Sequence, residues 1–95
     1  MLDLVLHRIR RSVVACEHVI TLHALEELDA DDLSVVDVES CVLSGAIVER
    51  QRDPETEEWK YVIQGSSTSG DECVVVVKFT PTGRVRVLTA FALKR

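Results

Sequence analysis

The pattern of apolar and polar positions changes period once along this 95-residue chain. Up to Gly45 apolar residues recur at three- and four-residue spacing, the mark of amphipathic helices; beyond it they alternate, the mark of strands. Leu2, Leu6, Ile9 and Val13 form one stripe and predict a first helix over about 3–15, with Asp3 at its start, where a negative charge suits the helix dipole. Val19 and Ile20 make a short extended stretch. Thr21 then suits the N-cap of a second helix over about 22–29, with Leu22, Leu25 and Leu28 directed to the core. Ser34 followed by Asp37 forms a capping box with Asp in place of the usual Glu, and opens a third helix over about 34–44. Val35, Val38 and Val42 face inward from it, beside Cys41, and Gly45 closes it.

Four strands are predicted after Gly45, over about 46–52, 59–64, 73–79 and 84–93. Asp53-Pro54-Glu55-Thr56 and Pro81-Thr82-Gly83 are turns, and 65–71 is a Ser/Gly loop. The near-continuous valine run of 73–79 marks a central strand buried on both faces. On the last strand strict alternation puts Arg84 and Arg86 on one face and Val85, Val87, Thr89 and Phe91 on the other. The expected fold is a single α+β domain, two to three N-terminal helices on one face of a four-stranded antiparallel meander.

Composition adds three points. With one Trp, one Tyr and two Phe, valine and leucine must fill the core. Cys16, Cys41 and Cys73 are odd in number and dispersed, no signal peptide leads the chain, and no apolar run approaches the roughly 20 residues that span a bilayer. These predict a cytoplasmic protein with reduced thiols and no membrane association. The net charge of −5 is uneven: residues 1–50 hold four arginines against ten acids, whereas 73–95 hold Lys78, Arg84, Arg86, Lys94 and Arg95 and no acid. An acidic chain is a poor non-specific nucleic-acid binder, but a local basic hairpin can hold a phosphate-bearing ligand.

The candidate chemistry centres on His23 and that hairpin. A histidine in the first turn of a helix can serve as a general base beside a phosphate; the plainer reading is a ring that hydrogen-bonds the adjacent sheet. Arg84 and Arg86, about 7 Å apart on one strand face, can clamp a phosphate. Lys78 lies across the turn, and Lys60 and Arg50 join if the register allows. Tyr61 can donate to a phosphate or simply pack its ring. Cys16, His18, His23 and Cys41 match no standard zinc spacing, and the Gly65–Gly70 loop lacks the lysine of a P-loop. No cofactor or metal is expected.

The segments ITLHALEEL, LSVVDVESCVLSGAIVE, YVIQG, CVVVVKF and RVRVLTAF, in this order across residues 18–91, resemble a family of small uncharacterised bacterial domains. Its members have a His-Ala helix start, an Asp-Val-Glu helix ended by Gly, and a closing strand carrying a Thr. That family is similar to the RelE/ParE-type toxins of toxin–antitoxin systems, metal-independent ribonucleases or gyrase poisons. The resemblance implies a basic cleft opposite the helices, RNA as target and a cognate antitoxin as partner. Carried over by position, it implies catalytic roles for His23 and Thr89, with Tyr61 less securely placed. Arg84 and Arg86 are added from the residues themselves, with Lys60 and Lys78 as substrate-binding groups. Where members commonly carry arginines after the His-Ala, this chain has Glu26, Glu27, Asp29, Asp31 and Asp32. That stretch motivates the alternative, a catalytically inactive domain of the same fold acting in protein–protein interaction. A third reading is a homodimer joined through an edge strand.

Overall fold

The computed structural model describes residues 2–93. Lys94 and Arg95, counted above in the basic C-terminal run, lie outside the described residues. Three helices, α1 (Leu2–Val14), α2 (Leu22–Ala30) and α3 (Val35–Ser44), accompany five strands. The strands are β1 (His18–Ile20), β2 (Ala46–Arg52), β3 (Trp59–Ser66), β4 (Glu72–Phe79) and β5 (Val85–Ala92). The sheet order is β1-β5-β4-β3-β2.

The expectation of four antiparallel strands is corrected here. β2 to β5 do pair antiparallel in sequence order, but His18-Val19-Ile20 adds a fifth, parallel strand alongside Val85-Arg86-Val87. The sheet is therefore mixed. A three-residue strand whose partner lies 67 residues away leaves no periodic trace of its pairing.

All three helices pack on one face of the sheet. Ile9 and Val13 of α1, Ala24 and Leu28 of α2, and Val38, Cys41 and Val42 of α3 enclose a core with Ile63, Val75, Val77, Val85, Val87 and Ala90. β4 is central, as its valine run predicted, but it is not buried on both faces: the helices cover one face, and Val76 on the other is half-buried. The helix starts also follow the sequence. The Thr21 hydroxyl accepts the Ala24 amide at 3.1 Å, and the Asp37 carboxylate accepts the Ser34 amide at 2.8 Å. α1 ends with Cys16 in the left-handed region (φ 57) and Glu17 N–H donating to Ser12 O, closing the last turn in the Schellman manner.

Three inward assignments are overturned. Leu22 is 72% exposed and Leu25 42%, whereas Ala24 and Leu28 are the buried apolar residues of α2. Val35 is likewise exposed at the start of α3. α2 sits at the sheet edge beside β5, so only a narrow stripe of it meets the core.

Gly45 and Gly65 let α3 lie unusually close to β3. A Cβ at Gly65 would fall 2.2 Å from the Cys41 carbonyl oxygen, and one at Gly45 would fall 2.4 Å from that of Gln64. Gly45 ends the helix with extended backbone (φ −94); its lack of a side chain serves close approach, not a left-handed cap. Arg10 ties α1 to the same helix end, donating to the Val42 carbonyl at 3.1 Å and the Gly45 carbonyl at 2.7 Å.

Candidate functional site

The face of the sheet opposite the helices is uncovered among the described residues, and register decides what it displays. Lys78 pairs with Arg86, and Lys60 lies one step beyond the Tyr61–Val77 pair, alongside Lys78. Adjacent strands are about 4.8 Å apart, so Lys60, Lys78 and Arg86 form a row about 10 Å long across three strands. Below it lie Val62, Val76 and Thr89, then Gln64, Val74 and Phe91. Lys78 is partly neutralised by Glu58 at 2.6 Å.

Thr89 reaches this face only because the ladder is irregular. Val76 pairs with Thr89 but Val77 with Val87, which leaves Leu88 as an extra residue in β5. A bulge reverses the alternation beyond it. Thr89 and Phe91 therefore join the face of Arg86, while Ala90 turns into the core. Strict alternation had placed Thr89 and Phe91 opposite the arginines, and that assignment is corrected.

α2 supplies the edge of the site. Where β1 ends, β5 would expose unpaired amides, and two carboxylates take them: Glu27 accepts the Ala90 N–H at 3.3 Å and Asp31 the Ala92 N–H at 2.8 Å. The match is geometric. Four helical residues rise about 6 Å and two strand residues about 6.7 Å, so an i,i+4 pair can meet alternate amides of a strand running alongside. His23, one turn before Glu27, continues the stripe. Its Nε2 lies 3.2 Å from Glu27 Oε1, and its ring is 69% exposed. The acids after the His-Ala, which in the sequence motivate an inactive, partner-binding domain, thus include two that complete the sheet edge.

The remaining candidates divide. Arg84 stands at the β4–β5 turn, where its backbone N–H donates to the Thr80 hydroxyl at 3.1 Å. Tyr61 faces the helix side, its ring edge-on to Phe79 at 6.1 Å, and does not join the row. The parity that puts Lys60 on the open face puts Tyr61 on the other. Arg50 also faces the helix side and stacks over Trp59 at 4.4 Å. Among the described residues no three of His, Cys, Asp or Glu converge into a group able to hold a metal ion. No described helix is long and apolar enough to cross a membrane.

The β4–β5 turn end of the sheet mixes charges, since the β2–β3 turn brings Asp53, Glu57 and Glu58 there beside Arg52, Lys60 and Lys78. α1 brings Arg8 to the β4–β5 turn end, its guanidinium 4.5 Å above the Phe79 ring. At the opposite end an open cleft of about 890 Å³ is lined by Asp31, Asp32, Asp37, Asp71 and Glu72 with Leu33 and Leu93. Asp37 is 8% exposed and anchors that end. Its Oδ1 accepts the Thr68 hydroxyl at 2.7 Å and amide at 2.9 Å, while Oδ2 holds Ser34. The Thr68 hydroxyl, with the Ser34 and Thr68 amides, lowers the Asp37 carboxyl to a pKa of about 2. Burial raises the thiols of Cys41 and Cys73 above the ordinary range, whereas Cys16 is exposed.

A three-helix α+β domain with a mixed five-stranded sheet and a cationic row on its uncovered face is the class these features define. The chain belongs to the DUF4258 family, a domain of unknown function whose family model matches residues 20–92. That span holds His23, Glu27 and the whole cationic row; α1 precedes it. Neither a curated protein nor a solved structure matches the chain.

Proposed function

We propose that this protein is a toxin-like, metal-independent endoribonuclease of the RelE/ParE kind, held by a cognate antitoxin in its resting state. The observation that carries the reading is the pairing of His23 with Glu27 on the edge of β5, beside a face carrying Lys60, Lys78 and Arg86. Glu27 is itself fixed by the Ala90 amide. A carboxylate accepting from Nε2–H leaves Nδ1 as the nitrogen able to take a proton.

In the reaction, His23 Nδ1 removes the proton of a ribose 2′-hydroxyl. The 2′-oxygen attacks the adjacent phosphorus, and the bond to the 5′-oxygen breaks to leave a 2′,3′-cyclic phosphate. Arg86, Lys78 and Lys60 stabilise the charge that builds on the phosphoryl oxygens. Thr89, on the same face, donates a hydrogen bond to the phosphate. The leaving 5′-oxygen takes its proton from water. Arg84 guides the strand at the turn, and Tyr61 has no part in this scheme.

The test is induced expression with growth and RNA integrity followed together. Wild type arrests growth and fragments RNA, and His23→Ala or Arg86→Ala relieves both. Normal growth with intact RNA at strong expression would overturn the reading. A second reading, a non-catalytic interaction domain, draws on exposed Leu22 and Leu25 beside the acids Glu26 and Asp29 of α2. It expects Leu22→Ser to release a bound partner while the fold is unchanged.

A further inference from the structure

Between α1 and the β4–β5 turn lies an open cavity of about 230 Å³ lined by Arg8, Arg11, Ser12, Ala15, Glu17 and Gly83. We propose that it is a second phosphate-binding site, occupied by the backbone of a nucleic-acid strand that has crossed the open face and rounded the hairpin turn. The inference rests on the RNA reading above for the identity of the strand.

Arg8 and Arg11 stand three residues apart on α1, so both guanidinium groups can serve one side of the helix. Neither forms an ion pair among the described residues. Two unneutralised cations at this spacing repel one another, and an anion between them removes that cost. Arg8 is already positioned, since the Phe79 ring holds its guanidinium from below. Glu17 lines the cavity but makes no ion pair with either arginine. It limits the site to a ligand that meets the two guanidinium groups away from it.

The cavity wall is rigid. Ser12 is nearly buried; its hydroxyl donates to the Glu17 carbonyl at 2.7 Å and accepts the Val85 amide at 3.3 Å, bonding α1 to the start of β5. Gly83 presents bare backbone, with open space where a side chain would stand. Continuity with the open face is the second argument. Gly83 precedes Arg84, and the Phe79–Val85 pair beneath Arg8 adjoins the Lys78–Arg86 pair. A strand leaving the cationic row at Arg86 thus passes Arg84 and meets Arg8 and Arg11. These residues are more than 70 positions apart in sequence, and only the packing of α1 joins them.

The experiment is an amide-resolved NMR titration of the full chain with two probes, inorganic phosphate and a single-stranded oligouridylate of about eight nucleotides, a length within the span of known single-strand sites. Wild type is compared with Arg11→Gln and with Arg52→Gln, an equal charge loss on the far edge strand. Amide dispersion confirms that each variant folds. The expected result is movement of Ser12, Ala15 and Gly83 with both probes. Arg11→Gln weakens the oligonucleotide about fivefold and flattens the log–log salt dependence by about 0.7, while Arg52→Gln does neither. Equal weakening by both variants, or oligonucleotide shifts confined to Val62, Val76 and Thr89, would refute the site. Shifts with phosphate alone would refute the strand path and identify a small phosphate-bearing ligand. None of these outcomes depends on cleavage, so a binding protein that cuts no RNA would refute the proposed reaction and leave this site standing.

Discussion

Replacing Asp37 with Asn tests how the acidic end of the sheet is held. The Asp37 carboxylate takes four hydrogen bonds, two from Ser34 at the start of α3 and two from Thr68 in the β3–β4 loop. The folded pKa is about 2 against an ordinary 3.8, a difference worth about 2.4 kcal/mol at roughly 1.36 kcal/mol per pH unit. The group lines the open cleft, where screening reduces this to about 1–2 kcal/mol. Because the folded pKa is depressed, the contribution is fully present above about pH 4 and is lost as the pH falls through 4 towards 2. An Asn can present one oxygen to Thr68 or to Ser34 but must aim its NH₂ donors at the other. Urea denaturation at a series of pH values should therefore show Asp37→Asn less stable than wild type by about 1–2 kcal/mol at pH 7. The gap should narrow by about 1 kcal/mol or more between pH 4 and pH 2, as the wild-type carboxyl protonates. Amide exchange at Thr68 should quicken in the variant at neutral pH. A stability gap of the same size at pH 2 and pH 7 would refute the reasoning.

Two further perturbations probe other parts of the fold. Gly65→Ala should cost about 3 kcal/mol or more, because its methyl group meets the Cys41 carbonyl and the Gly45 backbone. Gly70→Ala, with open space around it but φ +91, should cost only about 1–2 kcal/mol; chemical denaturation compares the two, and equal losses would contradict the close-approach argument. Under native conditions at pH 8 a thiol reagent should modify Cys16 quickly. Cys41 and Cys73 should react only on unfolding, since burial raises both thiols. Mass spectrometry of the labelled protein counts the sites, and rapid labelling of all three would mean that α3 does not stay seated on β3.

The parts of the candidate site legible in the sequence were those set by local chemistry. His23 in the first turn after a Thr cap, and a basic hairpin around Pro81-Thr82-Gly83, follow from neighbours a few residues away. Leu22 and Leu25 show where such reading fails. Leucines at helical spacing suggest a buried face, but α2 lies along an edge whose amides need acceptors. Burying Glu27 and Asp31 against β5 satisfies those amides and leaves the leucines outside. The two demands are of similar size: an orphaned buried amide costs about 1–3 kcal/mol, and a leucine left outside forgoes a comparable gain. The face of Thr89 is set by one bulged residue, Leu88, which no local pattern marks.

By itself the sequence determined the helix caps, the change of period at Gly45, the meander of β2 to β5 and the central place of β4. Each rests on spacing within a single element or between adjacent ones. Only the tertiary structure decided that His18–Ile20 is a strand, that Thr89 shares a face with Lys60, Lys78 and Arg86 while Tyr61 does not, and that Arg8 and Arg11 meet the hairpin. The physical reason is common to all of these. Strand pairing across 67 residues and helix docking on a distant turn depend on which donors and acceptors remain unpaired once the local elements have formed. A side chain's face in a strand also reverses with every bulge, so a one-residue irregularity in the ladder outweighs any local preference.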